Sequence, residues 1–240
     1  MLLEIAVFDI VAAIVAAKAG ANRLELCANP AEGGITPSYG TLVAVREKID
    51  IPVFPIIRPR GGDFLYSEEE FEVMRKDVLL CKQLGFEGVV LGLLSADGTI
   101  DMNRTAALVD VAYPMEVTFH RAFDRVIDSF KALEAIINCG CQRILTSGLV
   151  PTAWDGKQLI KALITAAENR IEIMPGSGVR SHNIKALAEF TRATEFHSAA
   201  KIMQPSAMQY QASNMQENND TFFVDADDIQ QMLLQLNSIA

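Results

Sequence analysis

Three short segments concentrate side chains able to bind anions or move protons: "RPRGGDF" at 58–64, "FHRAFD" at 119–124 and "EFHSAA" at 195–200. In the first, Arg58 and Arg60 offer planar guanidinium forks that match a carboxylate or phosphate. Gly61 and Gly62 permit the sharp turn that brings backbone close to a ligand. Asp63 keeps a second use open, since either arginine could pair with it or with a buried glutamate and simply stiffen the loop. In the other two segments, His120 and His197 are candidates for general base, proton shuttle or metal ligand. Glu195 and Asp124 supply carboxylates beside them, and Arg121 a further cation. Each histidine could equally be a core residue held by hydrogen bonds.

More groups appear where apolar runs are interrupted. Glu4 and Glu25 have aliphatic neighbours on both sides, and Glu195 lies between Thr194 and Phe196, so each is expected to point into an interior and to need a partner there. An ion network of Glu4, Glu25, Glu195 and Arg58 is the expectation, and Glu25 joins the candidate acid–base residues. Cys27 follows Glu25 by two positions, on the same side of a strand. "TSG" with Ser147 and "GSG" with Gly176, Ser177 and Gly178 offer hydroxyls and free N–H groups before helix starts, where an oxyanion could bind. Glycine there also serves the bend alone. His120 and Arg121 are adjacent, so a regular strand cannot turn both inward.

The elements that would position these residues alternate from one end of the chain to the other. β-branched or aliphatic runs begin "LLEIAVF", "RLELCA", "VFPIIRP", "GVVLGLL", "EVTFHRA", "RILTSG", "IEIMPGSG" and "TEFHSAA". Between them lie helical patterns expected to start near Asp9, Ser38, Ser67, Asp101, Asp128, Ala153 and Ser181, several with a capping Ser or Asp. The helix-to-strand turns are short and plain, as in "KAGANR" and "INCGCQR". The strand-to-helix turns hold nearly all the polar chemistry. Eight such units with chemistry at the strand C-termini predict a (β/α)8, TIM-like barrel. A doubly wound open sheet is the competing architecture, but "VFDIVAA" lacks the glycine turn expected after its first strand. Residues 1–240 are read as one domain, with a polar excursion at about 203–223 before a last helix, "DADDIQQMLLQL".

Composition narrows the partners. A net charge of −9 opposes non-specific binding to nucleic acid or anionic lipid. The apolar N-terminus carries Glu4 and Asp9 and has no basic n-region, so a cytoplasmic protein is expected. The four cysteines show neither zinc-type CxxC spacing nor the density of a disulfide scaffold.

"ELC", "PIIRPRGGDFLYS", "VTFHRAFD", "ILTSG" and "EFHSAA" together resemble the CutC family, long described as copper-homeostasis proteins. The resemblance runs from about Leu3 to Ala200. It implies a TIM-like barrel, a cytoplasmic location, a homo-oligomer, most simply a dimer, and copper(I) bound through cysteines near the first strands. This chain has Ala6 and Val7 where many relatives carry an early cysteine, leaving Cys27 as the candidate copper ligand. Its "SGLVPTAWDG" also departs from the small polar turn common in the family. Two functions stand side by side: copper handling, from the resemblance, and a barrel enzyme acting on a small phosphorylated or carboxylated metabolite, from the residues.

Overall fold

The computed structural model describes residues 1–210, 212, 214–215 and 218–239. Within them, parallel strands and helices alternate as β1 (Leu2–Val7), α1 (Ile10–Lys18), β2 (Arg23–Leu26), α2 (Tyr39–Lys48), β3 (Val53–Pro55), α3 (Glu68–Gln83), β4 (Gly88–Leu91) and α4 (Met102–Ala112). They continue as β5 (Glu116–Phe119), α5 (Ser129–Asn138), β6 (Arg143–Thr146), α6 (Lys157–Ala167), β7 (Glu172–Pro175), α7 (Ile184–Thr191) and β8 (Glu195–Ser198). The strands form two arcs, β3-β2-β1-β8 and β4-β5-β6-β7. Ile57 N donates to Val90 O at 2.7 Å across one seam, and β7 lies against β8 at the other. The result is the (β/α)8 barrel expected from the alternation.

Strand parity explains the layering. Leu3, Ile5 and Val7 of β1 and Leu24 and Leu26 of β2 are fully buried under the surrounding helices. Their alternate neighbours Glu4, Ala6, Arg23 and Glu25 then face the barrel interior. A small inner cluster of Cys27, Phe54, Ile56 and Val90 fills part of that interior. Helix starts follow the expected caps: Asp9, Ser38, Asp101 and Asp128 each accept a first-turn N–H, and Ser67 forms a reciprocal capping box with Glu70.

Two helices begin later than expected. α6 starts at Lys157 rather than near Ala153, because Gly156 packs directly on the Ser147–Gly148 backbone; a Cβ there would lie 2.0 Å from Ser147 O. α7 starts at Ile184 rather than near Ser181, since Ser181 N and Arg180 are both bound by Asp228. Past β8 the chain forms an antiparallel hairpin, β9 (Lys201–Gln204) and β10 (Thr221–Val224), before α8 (Ala226–Asn237). The expected excursion at 203–223 thus includes strand at both ends. Its residues Gln211, Ser213, Gln216 and Glu217 lie outside the described ones. Among the described residues no helix is long and apolar enough to cross a membrane.

Candidate functional site

An alternating chain of charges climbs the inside of the barrel. At the strand N-termini Glu116 meets Arg143 at 3.2 Å, and Arg143 Nε meets Glu195 at 2.5 Å. Arg23 donates to the same Glu195 oxygen, Oε2, at 2.6 Å and also pairs with Glu4. Glu4 Oε1 lies 2.8 Å from His197 Nδ1, and His197 Nε2 lies 3.6 Å from Glu25. The Phe54 ring supports the two arginines, with the Arg23 and Arg143 guanidinium carbons 4.9 and 5.6 Å from its centroid. Each buried charge therefore has an opposite neighbour, as a low-dielectric interior requires.

The ladder sets the protonation of its upper rungs. Burial would raise the Glu4 carboxyl, but Arg23 and His197 overcome it and hold Glu4 at about 2. An ionised Glu4 makes His197 Nδ1 the hydrogen-bond donor. Burial would lower His197, yet the two glutamates raise it above its ordinary value. Glu25 has no arginine in contact; burial lifts it, against the pull of His197, to about 7. Glu25 is thus a carboxyl poised near neutrality beside a histidine held towards its charged form.

Above them, at the strand C-termini, opens a cavity of about 280 Å³. Phe8, Ile56, Phe64 and Leu145 give it apolar walls, and Glu25, Cys27, His197, His120, Arg58, Arg121 and Lys201 line it as well. Arg58 is 5% exposed and stacks on Phe64 at 5.0 Å. Its terminal nitrogens donate to the carbonyls of Glu32, Gly34 and Gly62 at 2.6–2.9 Å. Its Nε is buried and has no hydrogen-bond partner among the described residues. His120 is 4% exposed, lies 4.9 Å from the Phe64 ring, and accepts the Ala122 N–H on Nδ1 at 3.2 Å. Burial, then the charge of Arg58, lowers its pKa to about 3. The imidazole is therefore neutral with its proton on Nε2, a buried atom that also lacks a partner among the described residues.

The structure sorts the expected site residues. Glu25, His120, His197, Arg58, Arg121, Ser177, Gly178 and Cys27 share the cavity. His120 and Arg121 both reach it because β5 ends at Phe119 and Arg121 opens a 3-10 turn, so strand parity no longer applies. Glu195 is corrected: it lies at the opposite mouth, where two arginines hold it. Arg58 is corrected as a member of the ion network, since its terminal nitrogens bind backbone carbonyls. The network's cations are Arg23 and Arg143. Arg60 and Asp63 pair with one another at 3.0 Å on the rim, and Arg60 also holds Glu70 at 2.6 Å. Asp124 and Ser147 bind each other at 2.9 Å, and Asp124 takes the Arg121 Nε at 2.7 Å, which fixes the loop after β6 behind the cavity. Gly176 sits tight against Leu145 and His197, where a Cβ would lie 2.4 Å from Leu145 Cδ1. Arg23 and Arg143 escaped sequence reasoning, though the two-residue period that nominated Glu25 also turns Arg23 inward.

The donor set fits copper(I) poorly. Cys27 is the sulfur among the cavity's lining residues. Burial, and then Glu25 and Glu4, keep its thiol protonated, well above the ordinary range, whereas a soft ion needs thiolates or thioethers. Glu4, Glu25 and His197 bring ligand atoms within 4.8 Å of one another. Arg23 and the His197 Nδ1–H already occupy Glu4, so an ion would have to displace them. The remaining cysteines are buried and free, with Cys81, Cys139 and Cys141 away from the cavity.

Fold and site together define a (β/α)8-barrel protein with a polar cavity at the strand C-termini, where barrel enzymes do their chemistry. The likeness in fold alone extends to phosphoribosylanthranilate isomerase of Thermotoga maritima, at TM-score 0.61 and 14% identity with full coverage of both chains. Residues 1–202 match the CutC family model, and the chain belongs to the CutC family. A human protein named copper homeostasis protein cutC homolog is 45% identical over 89% of this chain and 78% of its own length. A CutC family protein of Chromobacterium violaceum is 49% identical over 87% of this chain and 85% of its own. The solved structure of a CutC from Streptococcus agalactiae superposes at TM-score 0.79 with 34% identity, covering 83% of this chain and 98% of that one.

Proposed function

We propose that this chain serves copper homeostasis, the process for which its human relative is named, as a cytoplasmic protein whose working site is the barrel cavity. At that site it acts as an enzyme on a small carboxylated or phosphorylated metabolite. The observation that carries this reading is the convergence of Arg58, Arg121 and Lys201 with Glu25, His120 and His197 on one apolar-walled cavity. Three cations around one small cavity, in a protein of net charge −9, favour an anionic ligand there. Glu25 and His197 line the same cavity and supply proton transfer. Direct copper(I) handling by Cys27 is the second reading; its support is the family and the presence of that thiol in the cavity.

The test is a thermal-shift measurement with oxalate and inorganic phosphate on wild type, Arg58→Lys and His120→Phe. A ligand at one hundred times its Kd stabilises the folded state by about 2.7 kcal/mol. Wild type is expected to gain stability; His120→Phe, which keeps the apolar packing, loses the gain, and Arg58→Lys weakens it because an ammonium has no planar fork. Equal stabilisation of all three proteins, or none of wild type, refutes the site.

A further inference from the structure

The three cations on the cavity wall are committed to different degrees. Arg121 holds Asp124 at 2.7 Å and Ser147 at 2.8 Å. Arg58 gives its terminal nitrogens to three carbonyls and forms no ion pair among the described residues. Lys201, the first residue of β9, lines the cavity with its Nζ 4.8 Å from the Phe222 ring centroid, and among the described residues no oxygen accepts from that ammonium. The loops after β7 and β8 are tied together beside it: Ser198 Oγ donates to Val179 O at 2.6 Å, and Arg180 donates to Lys201 O. Ser177, Gly178 and Ala199 of these loops line the same cavity. Ser177 keeps a left-handed φ of 80° with its hydroxyl fixed on Pro151 O at 2.7 Å, a conformation that persists in a non-glycine residue only where its surroundings hold it. Among the described residues the N–H groups of Ser177, Gly178 and Ala199 donate to no acceptor. We infer that this β7–β8 corner binds the phosphate of a small phosphate monoester, with Lys201 as its cation. This rests on the small-anion reading of the cavity and adds the class of anion and the residue that holds it.

Charge selects a phosphate over a carboxylate. Arg121 is neutralised by Asp124, and His197 stands against Glu4. Arg58 and Lys201 are the lining cations that meet no carboxylate among the described residues. Two such charges suit a phosphate monoester, which carries about −1.5 to −2 near neutral pH, better than a monocarboxylate. An ammonium is a compact point charge with three donors, a match for the oxygens of a tetrahedral anion rather than for a planar edge. In barrels the loops after the seventh and eighth strands are also where phosphates recur. Size narrows the rest of the ligand. The cavity of about 280 Å³ equals about nine waters at their liquid volume, room for a phosphate on about three or four carbons. Lys201 lies four residues beyond His197, at most about 14 Å of extended chain, so such a molecule anchored by its phosphate keeps its carbon end within the cavity that Glu25 and His197 line.

The experiment titrates inorganic phosphate, glycerol 3-phosphate and oxalate into wild type, Lys201→Gln and Lys157→Gln, and reads affinity by thermal shift and location by backbone amide NMR. Wild type is expected to bind both phosphates, with the largest amide shifts at Ser177, Gly178 and Ala199. Lys201→Gln, at an exposed position, should fold and bind glycerol 3-phosphate about 10-fold or more weakly. Lys157→Gln removes an equal charge from beside Trp154, outside the cavity lining, and should bind like wild type. An equal loss in Lys157→Gln marks an effect of net charge and overturns the assignment. Phosphate binding that survives Lys201→Gln undiminished, or that shifts amides elsewhere in the cavity, also overturns it. Oxalate binding to wild type without binding of either phosphate overturns this inference and leaves the small-anion reading standing. Absence of binding by all three anions overturns both.

Discussion

Replacing Glu25 by Gln should stabilise the protein at alkaline pH while harming its chemistry. The Glu25 carboxyl is raised from 4.5 to about 7 in the fold, chiefly by burial. A raised carboxyl binds its proton more tightly folded than unfolded, so its ionisation opposes folding increasingly as pH rises from 4.5 to 7 and at a constant level above. At about 1.4 kcal/mol for each tenfold change in proton affinity, that cost reaches about 3 kcal/mol at pH 8. His197 works in the same direction: raised by its glutamates, it stabilises fully below its ordinary value and less as pH climbs through its folded one. Glu4 has the opposite sign. Held at about 2, it stabilises above 4.5 and loses that contribution as pH falls towards 2. Glutamine keeps the shape and cannot ionise, so the variant should melt roughly 6–12 °C above wild type at pH 8 and within a few degrees of it at pH 4.5. Differential scanning calorimetry across pH 4.5–8 measures this. A variant that melts at or below wild type at pH 8 would show that the burial cost of an ionised Glu25 does not exceed what His197 returns to it, and the reasoning fails.

Arg23→Met should destabilise by about 3–5 kcal/mol, because Glu4 and Glu195 both lose their shared cation while remaining buried; chemical denaturation measures it, and a loss under 1 kcal/mol would mean the ladder is dispensable. Copper(I) binding should be weak and should disappear in Cys27→Ala, as read by competition against a chelator; a tight site that survives the substitution refutes the reading of Cys27 as the candidate thiol. The chain should form a homo-oligomer, most simply a dimer. Light scattering at micromolar concentration checks this, and a concentration-independent mass near the 26.2 kDa of one chain contradicts it.

Much of this molecule is determined locally and so can be read from the chain. The barrel follows from short aliphatic runs alternating with capped helical patterns: Asp9, Ser38, Ser67, Asp101 and Asp128 all begin helices because their side-chain oxygens satisfy first-turn N–H groups a few residues away. Parity within a strand likewise placed Glu4 and Glu25 inside, and the concentration of polar residues after strands identified the working end. Those are short-range facts. What the tertiary structure decided is which partner each inward charge meets. Arg58 follows a strand full of aliphatics and was a natural cation for the glutamates, yet packing of the loop after β2 against its own loop brings the Glu32, Gly34 and Gly62 carbonyls to its terminal nitrogens. Arg23 and Arg143, which open their strands, meet Glu195 instead, at a sequence distance of 172 and 52 residues. Glu195 and His197 are two positions apart and on one side of β8, but the rise of a strand separates them by about 6–7 Å, enough to put one in each mouth of the barrel. A charge in a low-dielectric interior is governed by neighbours a few ångströms away, and only the closed ring fixes who those neighbours are.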